Sequence, residues 1–454
     1  MTRPYWILMA VASLTMSFPL SAVADEVATT GWRGDGSGRF PDTQPPTVWS
    51  KHSSNIVWKT ETGRGYSSPV ICKHPAGSRL FVTSEPAEVL CIAATDGAVL
   101  WQQTVGYAAA LGEAKAKRIE ETHAAFDVEK REVNKQYGLL RKENPDSPKL
   151  ESLKRKRQEV DMRRKEFERQ YPPEKRGGAG NAAATVVCDG SRVFVLFGTG
   201  VVASLDVDGQ LLWARHLEGP TQGFGHSASP VLAGGRLIVH LQNLIGLDVH
   251  TGKEIWRHEL PAKFGTPAVT RIGDDDVVIT PSGALVVAKD GRLLAERQFE
   301  LSENSPLVHG NIVYAQEVGK VKALRLQNDT RELGELELLW EAAGSREQRM
   351  ASALYHDGLL YAGGRRGIME VIDAETGELV YRQRLDVGEL FPSPALAGGL
   401  VFFGGKDGQT LVLRPGRQYE ELANNESDRF STSPVFENSR MYLRTDKFLY
   451  CIGE

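Results

Sequence analysis

The chain has 454 residues, 41% hydrophobic and 25% charged, with a formal net charge of −4. That is ordinary globular composition, and the slight acidic balance excludes a general nucleic-acid binder, whose affinity rests on excess Lys and Arg meeting phosphates. Such a length suggests two or three domains unless an all-β repeat runs as one unit.

The first residues read as an export signal. Arg3 precedes an apolar run from Tyr5 to Leu20, and Ala22-Val23-Ala24 has the small-x-small form that a signal peptidase accepts. Ser13, Thr15, Ser17 and Pro19 interrupt the run, which falls short of the ~20 clean apolar residues a membrane span needs. Residues 1–24 are therefore expected to be cleaved near Ala24, leaving a periplasmic or secreted protein. No cysteine lies near that point, so no lipid anchor is expected there, and no later segment is apolar enough to span. Residues 25–54 form an extended lead-in.

From residue 55 to 454 one unit recurs. A small-residue entry ending in Ser-Pro leads into a short apolar strand, a Gly/Asp/Asn turn and a second strand. A third strand runs into Asp-x-x-Thr-Gly, and a fourth often ends in Trp. The clearest copy has Ser229-Pro230-Val231, Arg236-Leu237-Ile238-Val239, Gly246-Leu247-Asp248, Thr251-Gly252 and Glu254-Ile255-Trp256. Other copies open at Ser68-Pro69, Thr266-Pro267, Ser305-Pro306, Ser352-Ala353, Ser393-Pro394 and Ser433-Pro434. Ala295, Tyr381 and Tyr419 stand where later copies would carry the fourth-strand Trp.

Four short strands cannot bury their own faces, and stacking the units around an axis does. The last copy has three strands, and Asn55-Ile56-Val57-Trp58-Lys59 supplies its fourth. The expectation is an all-β, eight-bladed propeller closed by the N-terminal strand. Trp58, Trp101, Trp213, Trp256 and Trp340 are read as docking residues between blades, the usual role of large aromatics.

Residues 107–176 differ in character, with 19 Lys or Arg against 14 Asp or Glu. Apolar residues at heptad spacing (Ile119, Phe126, Val133, Leu140, then Leu153, Val160, Phe167) flank the helix breaker Asn144-Pro145-Asp146-Ser147-Pro148. This predicts an antiparallel helical hairpin with a coiled-coil seam, inserted between blades 1 and 2. It is either a solvated arm or a docking element.

Cys72, Cys91, Cys188 and Cys451 fit no zinc spacing. Each lies in an apolar strand-like run, so four buried thiols are expected, although an oxidising compartment permits a disulfide.

Asp-x-x-Thr-Gly followed by a Trp-ending strand resembles the PQQ-like (quinoprotein alcohol dehydrogenase-like) β-propeller repeat. Trp32-Arg33-Gly34, Trp49, Ile56-Val57-Trp58-Lys59 and Gly63-Arg64-Gly65-Tyr66-Ser67-Ser68-Pro69 are similar to the start of exported bacterial members of that family, in its non-catalytic, BamB-like branch. The catalytic members imply an adjacent cysteine pair, a calcium held by acidic and amide side chains, and an aspartate base. No Cys-Cys pair exists here, and neither PQQ nor calcium is expected.

Entry loops are expected to bring Arg64, Tyr66, Phe224, His226, Arg349, Phe391, Arg429 and Phe430 toward the central funnel, joined from second-to-third-strand loops by Arg365, Arg366 and Lys406. A basic, aromatic-lined mouth would suit an acidic peptide, a glycan or an anionic small molecule; ordinary polar loops are the plainer reading. No catalytic residue is assigned. The function expected is a protein-binding or assembly scaffold of the cell envelope, with protein partners engaged through the hairpin. The alternatives are a PQQ-dependent dehydrogenase-like redox or small-ligand-binding protein, and recognition of an extracellular polymer or glycan.

Overall fold

The computed structural model describes residues 29–174, 178, 180–221, 225–331 and 334–453. The expected signal segment and its cleavage near Ala24, the Arg176 end of the insertion and Phe224 lie outside the described residues.

Eight antiparallel sheets of successive strands form the blades of a propeller. Blade 3 shows the plan, with strands Val231–Ala233, Arg236–His240, Leu244–Asp248 and Glu254–His258 running from the axis outward. The eighth blade takes Val435–Glu437, Arg440–Arg444 and Phe448–Gly453 from the C-terminal end and Ile56–Glu61 from the N-terminal end. Lys59 pairs with Tyr450 and Thr60 with Leu449 across that closure.

The turn motif has a local cause. Asp248 Oδ1 accepts from the Thr251 backbone N–H at 2.9 Å and from its hydroxyl at 2.7 Å, which folds the chain back. Gly252 then takes a φ of +66°, and Trp213 of the preceding blade lies where a Cβ would stand. Trp213 Nε1 also donates to Val249 O at 3.0 Å. The same lock recurs for Trp58 on Ala94 O, Trp101 on Val207 O, Trp256 on Ala288 O and Trp340 on Ala374 O. Each turn is thus a socket for the neighbouring blade.

A register shift in every fourth strand sets which residue reaches the socket. Trp101 pairs with Cys91 and Trp256 with Gly246, each beside the bulge. In blade 7 the residue at that register is Ala423, opposite Val412. Tyr419 precedes that strand, so the position expected for Tyr419 is corrected to Ala423.

Residues 30–49 cross the axis as a strap. Thr30 exchanges backbone hydrogen bonds with Cys188 of blade 2, and Arg39–Phe40 pairs in parallel with Leu396 and Ala397 of blade 7. Trp49 then stacks near Phe402, with its backbone N–H on Asn425 Oδ1 at 2.8 Å.

The insertion is helical: α1 (Tyr107–Leu111), α2 (Glu113–Glu143) and α3 (Lys149–Gln170). Ion pairs Asp127–Arg164, Glu129–Arg163 and Lys130–Asp161 at 2.7 to 2.8 Å fix α2 and α3 as antiparallel.

The expectation of four free thiols is corrected. Cys72 and Cys188, on the inner strands of blades 1 and 2, form a disulfide, while Cys91 and Cys451 remain buried thiols. Their strands are adjacent in the ring although 116 residues part them in sequence, which local pattern cannot reveal.

Candidate functional site

Strands alternate in direction, so one face carries the inter-blade connections and the second-to-third-strand loops. This entry face carries the insertion and the residues expected to form a mouth. The opposite turn face carries the Asp-x-x-Thr-Gly sockets.

At the start of the inner strands the repeated Ser or Thr closes a ring. The backbone N–H of each donates to the hydroxyl of the next blade: Ser68 to Thr185, Thr185 to Ser229, Ser229 to Thr266 and Thr266 to Ser305, at 2.8 to 3.0 Å. Ser305 to Ser352, Ser352 to Ser393, Ser393 to Ser433 and Ser433 to Ser68 complete the circle at 2.9 to 3.1 Å. None of the eight residues is more than 5% exposed. The hydroxyls satisfy backbone N–H groups that the inner strand edges would otherwise leave open to the axis.

Three arginines are buried around this neck. Arg33 of the strap donates to Ala353 O at 3.1 Å and Pro394 O at 2.8 Å, and burial brings its pKa down to about 10. Arg444 donates to Ser67 and to Ser84 Oγ at 2.9 Å, and burial brings its pKa down to about 9. Arg349 binds Glu370 Oε2 at 2.8 Å, while Arg382 holds the other carboxylate oxygen at 2.5 Å. Burial pushes the Glu370 carboxyl up, but the two guanidinium groups outweigh it and hold the group below the usual carboxylate range.

The expected mouth is only partly assembled. Arg349, His226 and Phe430 are 0%, 1% and 1% exposed, so they are corrected from ligand-facing to interior positions. Arg349 is consumed by Glu370, and Phe430 lies in the apolar seam of blades 7 and 8 with Phe402 and Phe436. Arg365, Phe391 and Lys406 do meet. Glu389 binds Arg365 at 2.8 Å and Lys406 at 3.4 Å, and both cations lie over the Phe391 ring. Exposed Arg429 lies 3.7 Å from Asp407. Arg64 is exposed and donates to Gly178 O, Tyr66 is half-buried and Arg366 is exposed. Part of the basic mouth is therefore offset by Glu389 and Asp407, two carboxylates that composition could not place.

Beside these residues stands the root of the insertion. Tyr107 is buried, donating to Pro172 O at 2.7 Å, and Ile119 of α2 joins the apolar core of blades 1 and 2. His123 Nε2 lies 2.9 Å from Tyr171 O, and the Tyr171 ring stacks on His216 of blade 2 at 5.0 Å. Gly219 and Gln242 of blades 2 and 3 donate to Arg169 O at the end of α3. The helices are thus seated on the entry face, and beyond the root α2 and α3 bind each other.

Next to that root His240 is buried, with its pKa brought down to about 4 by desolvation. In the unfolded chain it protonates near pH 6.5, so protons favour unfolding first. Stability from this group is full above pH 6.5 and falls as pH drops toward 4, by about 3 kcal/mol. Urea unfolding across that range should show this slope, and His240→Gln should flatten it; an unchanged slope would refute the assignment.

The Glu370 oxygens are occupied by Arg349, Arg382 and the Ser345 N–H. The disulfide lies at the turn-face ends of its strands, and no group of three potential ligating residues converges among the described residues. Along the axis a cleft of about 420 Å³ runs between the strap and the inner strands of blades 3 to 5, with Val, Leu and Pro on the blade side and Gly, Asp and Ser on the strap side.

The family model described as outer membrane protein assembly factor BamB matches residues 47–120, 177–331 and 334–416. Among curated relatives, BamB of Yersinia pestis is 22% identical over 250 residues, covering 52% of this chain and 62% of that protein. BamB of Escherichia coli K12 is 23% identical over 213 residues, covering 44% and 52%. The aligned regions thus span less than two thirds of either relative. Among solved structures, BamB from Moraxella catarrhalis superposes with a TM-score of 0.54 at 13% identity, over 87% of this chain and 98% of that one. Quinohemoprotein alcohol dehydrogenase from Comamonas testosteroni gives 0.57 at 10% identity, over 88% and 76%. At these identities both likenesses show the propeller fold alone.

Proposed function

This chain belongs to the family described as outer membrane protein assembly factor BamB, and we propose that it acts as a non-catalytic protein-binding scaffold of the cell envelope, serving the assembly of outer-membrane proteins. The observation that carries this reading is where the family match breaks. It stops at residue 120 and resumes at 177, so most of the hairpin lies outside the family pattern that runs on through blades 2 to 6 and into blade 7. A scaffold with an added arm rooted beside its loop-bearing face is suited to grip a protein partner at two places.

A periplasmic location is part of the same reading, supported by an outer-membrane assembly family and by the Cys72–Cys188 disulfide, which suits an oxidising compartment. No helix among the described residues is long and apolar enough to cross a membrane. No cofactor enters the proposal.

The test retains the root, because Tyr107 and Ile119 are core residues. Residues 127–164 are replaced by a short Gly-Ser turn, and intact and trimmed proteins are compared in pull-downs from envelope extract, beside a titration with PQQ and calcium. The trimmed protein should melt as the intact one does, yet retain at most a tenth of the partner. Saturable quinone binding with no partner retained would overturn the scaffold reading.

A further inference from the structure

The charge of the insertion is unevenly distributed along its length. Residues 107–176 carry 19 basic and 14 acidic side chains, and the segment 135–157 alone carries eight basic and three acidic. The whole excess of +5 is therefore on the outer part of the hairpin, in a chain that totals −4. Toward the root the helices are braced by the pairs Asp127–Arg164, Glu129–Arg163 and Lys130–Asp161. Among the described residues only Lys154 of the outer part has an ion pair, with Glu151 at 3.3 Å. Arg141, Lys142, Arg155 and Lys156 are exposed and have no ion-pair partner among the described residues. Leu139 is 52% exposed beside them.

A solvated helix pair that only needed solubility would be served by mixed charge, as the root is. An outer end with a surplus of cations, an exposed leucine and an acidic body behind it has a different consequence. Near an anionic surface the end is drawn in and the body held off, so the molecule is oriented as well as bound. The end lies about 20 residues of α2 beyond Ile119, a reach of roughly 30 Å at 1.5 Å per residue. That distance is several Debye lengths at about 0.15 M salt, so the body's negative charge does not cancel the attraction.

We propose that the outer end of the hairpin docks on an anionic phospholipid bilayer, through Arg141, Lys142, Arg155 and Lys156 against the headgroups and Leu139 in the interfacial layer. Each basic side chain near such a surface contributes to binding, and an exposed apolar residue adds a contact that a dissolved polyanion cannot offer. The proposal goes beyond the partner reading, because vesicle binding is read with no protein partner present.

The experiment is co-sedimentation of the full mature chain with vesicles of phosphatidylcholine, or of phosphatidylcholine containing phosphatidylglycerol, at low and physiological salt. Binding to the anionic vesicles should exceed that to neutral ones at least tenfold and fall steeply with salt. The variant R141E/K142E/R155E/K156E should bind no better than to neutral vesicles, while Leu139→Ser should lose several-fold. Because these side chains are exposed, both variants should melt normally. Equal binding to both vesicle types, or anionic binding that survives charge reversal, would overturn the proposal. So would displacement by poly-glutamate with no effect of Leu139→Ser, which would identify the end as a site for acidic polypeptide.

Discussion

Replacing Glu370 by alanine should destabilise the propeller by about 3–5 kcal/mol, because it strands the fully buried Arg349 without a counter-charge. Arg349 keeps a carbonyl at Ser345, and Gln316 when its amide oxygen faces the guanidinium, but neither neutralises it. The loss is one of desolvation and not of the bond itself, which gives the test its shape. Glu370→Gln should cost less, and the double variant Arg349→Met/Glu370→Leu should recover most of the stability, since a well-packed apolar pair removes both charges together. Denaturant unfolding of the wild type, Arg349→Met, Glu370→Leu and the double variant, arranged as a double-mutant cycle, gives the coupling directly. A loss below about 1 kcal/mol in Glu370→Ala would mean that water reaches Arg349 and that it is open to ligand after all. In the double variant partner capture should be intact, because the pair supports the entry face from within.

That pair also shows why the fold was more legible than the site. The sockets depend on residues within a few positions of one another, Asp248 with Thr251 and Gly252, so the repeat displays them directly. The hydroxyl ring was visible as recurring Ser-Pro, although its function needs the neighbouring blade. Burial of a loop residue is decided by what stands opposite it. Arg349, His226 and Phe430 looked like funnel residues because they sit in entry loops, and interior partners such as Glu370 claimed them. A signal existed: Glu370 stands between Met369 and Val371 in the apolar run Ile368–Asp373, where a carboxylate needs a buried cation. Arg444 ends the apolar strand Arg440–Arg444 in the same way. Ala423 was missed for a different reason, since a bulge shifts the register and spacing counted from the turn points to Tyr419. The strap looks like a lead-in in sequence because its partners belong to blades 1, 2, 6, 7 and 8, most of them far along the chain.

Removing the Cys72–Cys188 disulfide, by Cys72→Ala/Cys188→Ala or by reductant, should lower the unfolding free energy by about 4–5 kcal/mol on the chain-entropy account of a loop of this length. The seam between blades 1 and 2 is where such a link matters most. Elsewhere a short connection carries one blade into the next; here the chain leaves at Thr104 and returns at Val187 after the whole insertion. On the entry face the seam is held by Glu85, which accepts from the Asn181 and Ala182 N–H groups at 2.6 and 2.8 Å, and by the hydroxyl-ring link from Ser68 to Thr185. On the turn face it is held by the disulfide, by Thr30 of the strap, which bridges Ile71 and Cys188, by the Trp101 lock on Val207 O and by Arg79 on Asp208. Loss of the disulfide removes the one covalent clasp of a seam that lacks the short connection of its neighbours, so blades 1 and 2 should open before the rest of the ring. Hydrogen exchange should locate the loss there, with early deprotection of Val70–Cys72 and Val187–Cys188 and little change in blades 4 to 6. Cys91→Ala should not open the seam and should remain insensitive to reductant beyond the wild-type response, since burial pushes that thiol up to about 12 and keeps it inert. Uniform deprotection around the ring would instead mean that the blades unfold as one unit and that the insertion does not weaken its own seam.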